Sequence, residues 1–252
     1  MFLKRILDLI VFILNKEKVI FSWSGGKDST LCLHSILNNS AYEVCYLLTS
    51  INGNLKRVSM HGIHESLIEA QAQSIGIPLK KVYVYEANNE EYEKQMSNIL
   101  NEAKMEGIYT VIFGDIFLED LRIYREANLK KLDMKAVFPL WGKHTSGLIR
   151  EFLNLNYKTI VCCGNDAYLK KEQVGKLIDF NYINQLESDI DPCGENGEYH
   201  TFCYEGPIFK IPILIYVTDK LYKPLELEFQ TPDKNNKITK GFWFANIELK
   251  PI

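Results

Sequence analysis

The chain has no Walker A string, Gly-x-x-x-x-Gly-Lys-[Ser/Thr], and no Gly-x-Gly-x-x-Gly fingerprint, so the two common phosphate-loop spellings are excluded. None of its six cysteines (Cys32, Cys45, Cys162, Cys163, Cys193, Cys203) is spaced Cys-x-x-Cys, which leaves a zinc ribbon or a thioredoxin-type pair without support. Several of them stand in apolar runs, where cysteine serves as a small buried hydrophobe, and this fits a reduced, cytoplasmic setting. A basic excess is also missing: 29 Lys and Arg face 32 Asp and Glu, a net charge of −3, which speaks against a free-standing nucleic-acid binder and against a DNA partner. No hydrophobic run is long enough to cross a bilayer. Ile6–Leu14 comes nearest, but Asp8 interrupts it and the Asn15–Lys18 text after it has no small-residue cleavage site. Residues 1–18 are therefore read as an amphipathic helix or an appendage, with no membrane partner. Repeats and low-complexity tracts are absent as well. What remains, 252 residues with 46% hydrophobic and 24% charged, is ordinary globular composition with enough chain to fold without a disulfide or metal staple.

From Val19 onward, short apolar strands alternate with amphipathic helices. Strands are expected at Val19–Trp23, Glu43–Thr49, Lys81–Tyr85 and Thr110–Gly114. Helices are expected at Asp28–Asn38, Ile63–Ile75, Glu90–Glu106 and Glu119–Leu132. This alternation implies a parallel sheet covered on both faces. After Val137 the pattern changes. Thr145–Leu155 reads as a helix and Lys158–Cys163 as a strand, and Asn181–Pro207 holds six acids with no Lys or Arg. Strand-like runs follow at Ile208–Thr218, Leu225–Gln230 and Gly241–Leu249. The division is drawn as 1–18, 19–140 and 141–252, with the last two packed together because no long linker parts them.

The most informative stretch is Ser22-Trp23-Ser24-Gly25-Gly26-Lys27-Asp28-Ser29, set between a buried strand and a helix. Backbone N–H groups and the helix dipole make an anion site there. Two glycines permit a tight turn and close approach, two hydroxyls add donors, and Lys27 adds charge. Asp28 belongs either to that cradle or to the helix start, where it would bond backbone donors. Lys27 is read as a surface side chain whose loss would cost the fold little.

This string resembles the PP-loop of the ATP-pyrophosphatase family, the adenine-nucleotide α-hydrolase-like proteins. The resemblance implies a five-stranded parallel sheet with a smaller C-terminal α+β part, and cleavage of ATP between its α- and β-phosphates. Ser24, Gly25, Gly26, Lys27, Asp28 and Ser29 would cradle the phosphates. Leu48, Thr49, His61, Gly114 and Asp115, at or after the ends of strands, would complete the nucleotide site.

A second motif, Asp191-Pro192-Cys193-Gly194-Glu195-Asn196-Gly197-Glu198-Tyr199-His200-Thr201-Phe202, puts two carboxylates on a glycine-bearing loop. Paired with the first, it is similar to the Gly-Glu-x-Gly-Glu-[Phe/Tyr]-x-Thr signature of diphthine–ammonia ligases. Gly114–Met134, with Arg122 and Glu126, and Phe138-Pro139-Leu140-Trp141-Gly142 match further segments of that family. The likeness spans about Val19 to Phe209. It implies that a carboxylate, the diphthine of elongation factor 2 in that family, attacks ATP, and that ammonia converts the acyl-adenylate to an amide. Lys27, Glu195, Glu198 and Arg122 would be the catalytic side chains. Mg2+ would sit on Asp28 and Glu195, and the acidic loop would fold back towards Lys27, binding ammonium and taking its proton. Arg57–Gly62, Asn196 and His200 depart from the archaeal and eukaryotic spelling and look more like bacterial relatives, so the reaction type carries over better than the acceptor. No glutaminase domain is visible, which makes free ammonium the expected nitrogen donor.

Other readings stay open. His61, His64 and Glu65 invite a zinc site that lacks further ligands; the Arg57–His64 stretch fits a pocket lining better. Cys193 invites sulfur transfer to tRNA, without the paired cysteines or RNA-binding domain that such enzymes often carry. The same scaffold can serve another carboxylate, or bind adenine nucleotides without chemistry. Monomer and homodimer are both compatible with the sequence.

Overall fold

The structure, a computed structural model, describes residues 16–86 and 88–251. The Ile6–Leu14 stretch, expected as an amphipathic helix or an appendage, lies outside them. Strand β1 (Glu17–Ser22) starts two residues before the expected strand. Its period-two alternation sends Val19 and Phe21 into one core cluster and Ile20 into another, so both faces of the sheet must be covered. The turn after β1 leads into α1 (Lys27–Leu37), and then come β2 (Tyr42–Asn52), β3 (Arg57–Val58), α2 (Glu65–Ile75) and β4 (Leu79–Val84). Next follow α3 (Asn89–Met105), β5 (Thr110–Ile112), α4 (Glu119–Lys130) and β6 (Lys135–Val137).

Five of these strands pair in parallel in the order β4-β2-β1-β5-β6. The two-residue β3 is an addition that the alternation of strands and helices did not reveal. It pairs antiparallel with Ile51 and Asn52, on the edge of β2 that β1 leaves free once it ends. β6 is also new; its three residues are too few for a periodic signal. Leu100, Ala103 and Leu129 of α3 and α4 cover one face of the sheet. α1 and α2 cover the other with Leu31, Leu33, Ile36, Leu67 and Ile68.

The second part contains α5 (Thr145–Asn154), β7 (Lys158–Asn165), α6 (Phe180–Asn184), β8 (Tyr199–Glu205), β9 (Ile215–Pro224) and β10 (Gly241–Leu249). Its strands form an antiparallel sheet in the order β8-β7-β10-β9. Two of the strand expectations here are corrected. The Ile208–Thr218 run becomes a strand only at Ile215, because Pro207 and Pro212 have no N–H to give a ladder. Leu225–Gln230 is a loop with a single 3-10 turn, and Leu227 and Phe229 lie exposed there. The end of the second motif, read as loop, is strand β8.

Phe202, Cys203 and Ile247 share one core cluster with Phe21, Leu31 and Leu67, so the two parts are packed into a single interior. Arg57 adds polar ties, donating to Gly62 O at 2.6 Å and to Asn246 Oδ1 of β10 at 3.0 Å. The acidic run of the second part is partly compensated from the β9–β10 connection, where Lys237 lies 2.7 Å from Asp189 and 3.6 Å from Glu187, and Lys234 adds a polar tie to Asn196 Oδ1 at 2.6 Å.

Candidate functional site

A cleft of about 820 Å³ opens at the C-terminal ends of β1, β2 and β5. Chain order departs in both directions from β1 here, and open α/β sheets place their ligands at such a switch point. Its lining includes Ser24, Lys27, Asp28, Ser29, Leu48, Thr49, His61, Gly114 and Asp115 from the first part and Cys193, Glu195, His200 and Thr201 from the second. The volume falls within the range of small-molecule sites.

The turn is held from behind. Gly25 has φ +79°, and a Cβ there would stand 2.6 Å from Gln71 Oε1. A Cβ on Gly26 would meet His61 at 2.8 Å. The glycines thus make room for protein as well as for a ligand. Gly114 serves the same end, since a Cβ on it would crowd the first turn of α1 at Ser29. Thr49 Oγ1 donates to Trp23 O at 2.7 Å and Trp23 N–H to Leu48 O at 2.8 Å, fixing the turn to β2. The N–H groups of Ser24, Gly25, Asp28 and Ser29 have no acceptor among the described residues, so a bank of donors is available to an anion.

Lys27 corrects the surface reading: it is 2% exposed. Its Nζ donates to Asp28 Oδ2 at 2.7 Å and to the carbonyl of Cys193, and lies over the Tyr199 ring at 5.3 Å. Burial works to lower its pKa, but the Asp28 carboxylate and the Cys193 and Tyr199 side chains outweigh it and hold the ammonium well above its ordinary value. Asp28 therefore pairs with Lys27 and, among the described residues, bonds no backbone donor of the helix start.

The two loop carboxylates part company. Glu195 faces the cleft, where Oε1 accepts the N–H of Ile116 at 2.8 Å and that of Phe117 at 3.4 Å. Burial, then the charge of Asp28, push its pKa up to about 7 against those N–H bonds and Lys27. Glu198 is turned away and 0% exposed. It accepts from Asp191 N–H at 3.1 Å, Asn196 N–H at 3.0 Å and Asn196 Nδ2 at 2.9 Å, so it staples the turn. Asp191 does similar work, its Oδ1 taking the N–H groups of Cys193 and Glu195.

Arg122 lies outside the cleft lining. It pairs with Glu126 at 2.8 Å and its guanidinium lies over Trp141 at 4.6 Å. Arg125, one helical step on, is the cleft's arginine: it lies 2.7 Å from Asp115 and over Phe113 at 4.3 Å. Leu121, Tyr124 and Arg125 of α4 border the cleft with Leu118 just before the helix; a helical repeat from Leu118 admits Arg122 at i+4 as well as Arg125 at i+7, so periodicity alone does not select Arg125. Burial pushes Asp115 up despite Arg125.

His61 Nδ1–H donates to Thr201 O at 3.0 Å, and its ring stands 4.7 Å from that of His200. Burial lowers His61 to about 4, with Lys27 adding to the effect and the Thr201 carbonyl opposing it. Burial also holds His200 well below its ordinary value, with His61 and Lys27 reinforcing it. Both rings are neutral at pH 7. His64 is elsewhere, its Nδ1 accepting Ser66 N–H to cap α2, and Glu65 pairs with Lys81. No group of three or more His, Cys, Asp or Glu among the described residues is arranged to hold a metal ion. The Cys193 thiol donates to Thr145 O, and burial pushes its pKa up.

A strand–Gly-Gly–helix turn with free N–H groups at a switch point, faced by an acidic turn from a second part, defines a site suited to an anion such as a phosphate group. The family model described as the diphthamide synthase N-terminal domain matches residues 17–136, and that of the diphthamide synthase C-terminal domain matches residues 144–230. The chain belongs to the diphthamide synthase family. A diphthine–ammonia ligase of Homo sapiens is 24% identical over 76% of this chain and 80% of that one. One of Danio rerio is 22% identical over 80% of this chain and 88% of that one. A solved U34-tRNA thiolase from Methanococcus maripaludis, with its [4Fe-4S] cluster, aligns at a TM-score of 0.33 and 22% identity, covering 57% of this chain and 59% of that one. No helix among the described residues is long and apolar enough to cross a membrane.

Proposed function

We propose that this chain is an ATP-dependent amide ligase that adenylates a carboxylate and aminates it with ammonia. The observation that carries the reading is the meeting of Glu195 and Lys27 in one cleft, from opposite parts of the chain. The acceptor carboxylate attacks the α-phosphorus of ATP. The bond to the β-phosphate's bridging oxygen breaks, pyrophosphate leaves, and an acyl-adenylate remains. Ammonia then attacks the acyl carbon and AMP departs.

The free N–H groups of the turn and the Lys27 ammonium offset the charge on the departing pyrophosphate. Glu195, poised near pH 7, takes the proton that ammonium must lose before it attacks. Asp28 keeps one carboxylate oxygen without a hydrogen-bond partner among the described residues, whereas the one that Glu195 keeps is the oxygen that takes ammonium's proton. One or two carboxylates combined with phosphate oxygens fit the Mg2+ that accompanies ATP, and such an ion supplies further charge neutralisation. Arg125 and Asp115 border the same space.

The acceptor we propose is diphthine, as in the relatives' name, carried on elongation factor 2 as the resemblance implies, in a reduced, cytoplasmic setting. The buried, protonated thiol of Cys193 disfavours sulfur transfer. The test is product analysis with ATP, Mg2+, ammonium and diphthine-bearing elongation factor 2. AMP, pyrophosphate and replacement of an acid oxygen by nitrogen in the acceptor are expected. ADP and phosphate would overturn the adenylation step. AMP formation only with a different carboxylate would overturn the acceptor alone.

A further inference from the structure

β8 is an edge strand, and unpaired edge groups must find partners when buried. Here the first part supplies them without a strand. Cys203 N–H donates to Gly25 O at 2.9 Å, and His61 Nδ1 lies 3.0 Å from Thr201 O. The remaining carbonyl, Cys203 O, accepts from Gln71 Nε2 at 2.6 Å. Residues 201 and 203 point their backbone groups to the same edge, as the two-residue repeat of a strand requires.

Gln71 reaches this edge from α2 and is 0% exposed. The same Nε2 donates to Gly25 O at 2.9 Å, and Oε1 accepts the Trp23 indole N–H at 2.9 Å. One side-chain amide therefore joins the end of β1, the glycine turn and the strand of the second part. Two residues before Cys203, Thr201 Oγ1 takes the Lys27 N–H at 2.9 Å. A shift of β8 along its axis would carry Thr201, His200 and Tyr199 away from Lys27. Gly25 is suited to this neighbour, since any Cβ there would collide with the Gln71 amide.

We propose that Gln71 is a positioning residue for the nucleotide site: it sets the register between the Ser24–Ser29 turn and strand β8. The inference rests on the reading of that turn as an ATP site. Because Gln71 acts through the carbonyls of Gly25 and Cys203, its loss changes how the turn presents its donors even where the fold survives.

The experiment measures ATP affinity by titration calorimetry with Mg2+, beside thermal unfolding, for wild type, Gln71→Met and Ile75→Ala. Ile75 is a buried core residue one turn further along α2, so its truncation destabilises the same helix without touching the turn. Gln71→Met is expected to bind ATP at least tenfold more weakly, while Ile75→Ala stays within twofold of wild type at a comparable loss of melting temperature. Affinity unchanged in Gln71→Met overturns the inference. So does an equal loss of affinity in both variants, because that is the mark of general destabilisation. Should Gln71→Met not fold, Gln71→Glu at pH 7.5 keeps the length and the acceptor for Trp23, removes the amide donor, and carries the same outcomes. Wild-type protein that fails to bind ATP overturns the reading of the turn and this inference with it; wild-type binding with unaltered Gln71 variants overturns the inference alone.

Discussion

The backbone N–H of Lys27 donates to the hydroxyl of Thr201 at 2.9 Å, joining residues 174 positions apart. The first N–H of α1, an orphan in any helix, is thereby satisfied by the strand that follows the acidic turn. The same lysine's side chain reaches the carbonyl of Cys193. The anion turn and the acidic turn are thus one structural unit, and substitutions in either are felt by both.

Lys27→Met is expected to abolish ATP-dependent turnover and also to destabilise the protein by about 1–3 kcal/mol, because a buried carbonyl and the Asp28 carboxylate lose their cation. Urea unfolding and pyrophosphate release, measured on the same preparation, check both parts. Wild-type stability would show that the Cys193 contact contributes nothing.

Glu195→Gln and Glu198→Gln are expected to separate chemistry from architecture. Glu195→Gln keeps the length and one acceptor for Ile116 N–H, so folding and ATP binding stay near wild type while amide formation falls. The rise of kcat/KM through about pH 7 should vanish with it, since ionisation of this carboxyl is what that limb reports. Glu198→Gln turns an amide against N–H donors and is expected to cost about 1–3 kcal/mol of stability. The reverse pattern in amide-formation kinetics and unfolding curves would exchange their roles.

The two arginines of α4 offer a sharper contrast. Arg122→Met breaks an i,i+4 pair at the surface and should cost at most about 0.5 kcal/mol, with turnover close to wild type. Arg125→Met strips the counter-charge from Asp115 in the cleft and is expected to lower ATP turnover at least tenfold. Steady-state kinetics of both variants decide between them.

Acid should weaken the fold through the paired imidazoles. His61 is held at about 4, against an ordinary 6.5, by burial, so below pH 6.5 the unfolded chain takes up a proton that the folded one refuses. The stability from this group is complete above pH 6.5 and is lost as pH falls through 4, and His200 shifts in the same direction. His61→Gln is expected to flatten that limb when unfolding midpoints are compared between pH 7.5 and pH 4.5. A limb as steep as in wild type would assign acid sensitivity to other groups.

Much of the fold was legible from local pattern. Alternation of short apolar strands with amphipathic helices marked the parallel strands from β1 to β5 and their helices, because each such strand must be apolar on both faces and each helix on one. Gly241–Leu249, an antiparallel strand, was also read with its ends intact, from its apolar run after a glycine. The glycine turn was legible too, since its position between a buried strand and a helix start is a local property. Pairing alone produced β3, β6 and the true start of β9, and their few residues carry little periodicity of their own.

The sequence by itself determined the doubly covered parallel sheet and the presence of an anion turn and a separate acidic turn. Tertiary structure decided which side chains of those turns meet. Glu195 and Glu198 are chemically identical and three residues apart, yet the path of the turn after Asp191 sends one into the cleft and the other into its own N–H groups. Lys27 looks like a surface lysine until β8 packs over it. Gln71 gives no signal on its helix, because its partners Trp23, Gly25 and Cys203 become neighbours only when the two sheets close on one core. Local pattern records what each segment must bury, whereas the partners of a buried polar group depend on distances that exist only after folding.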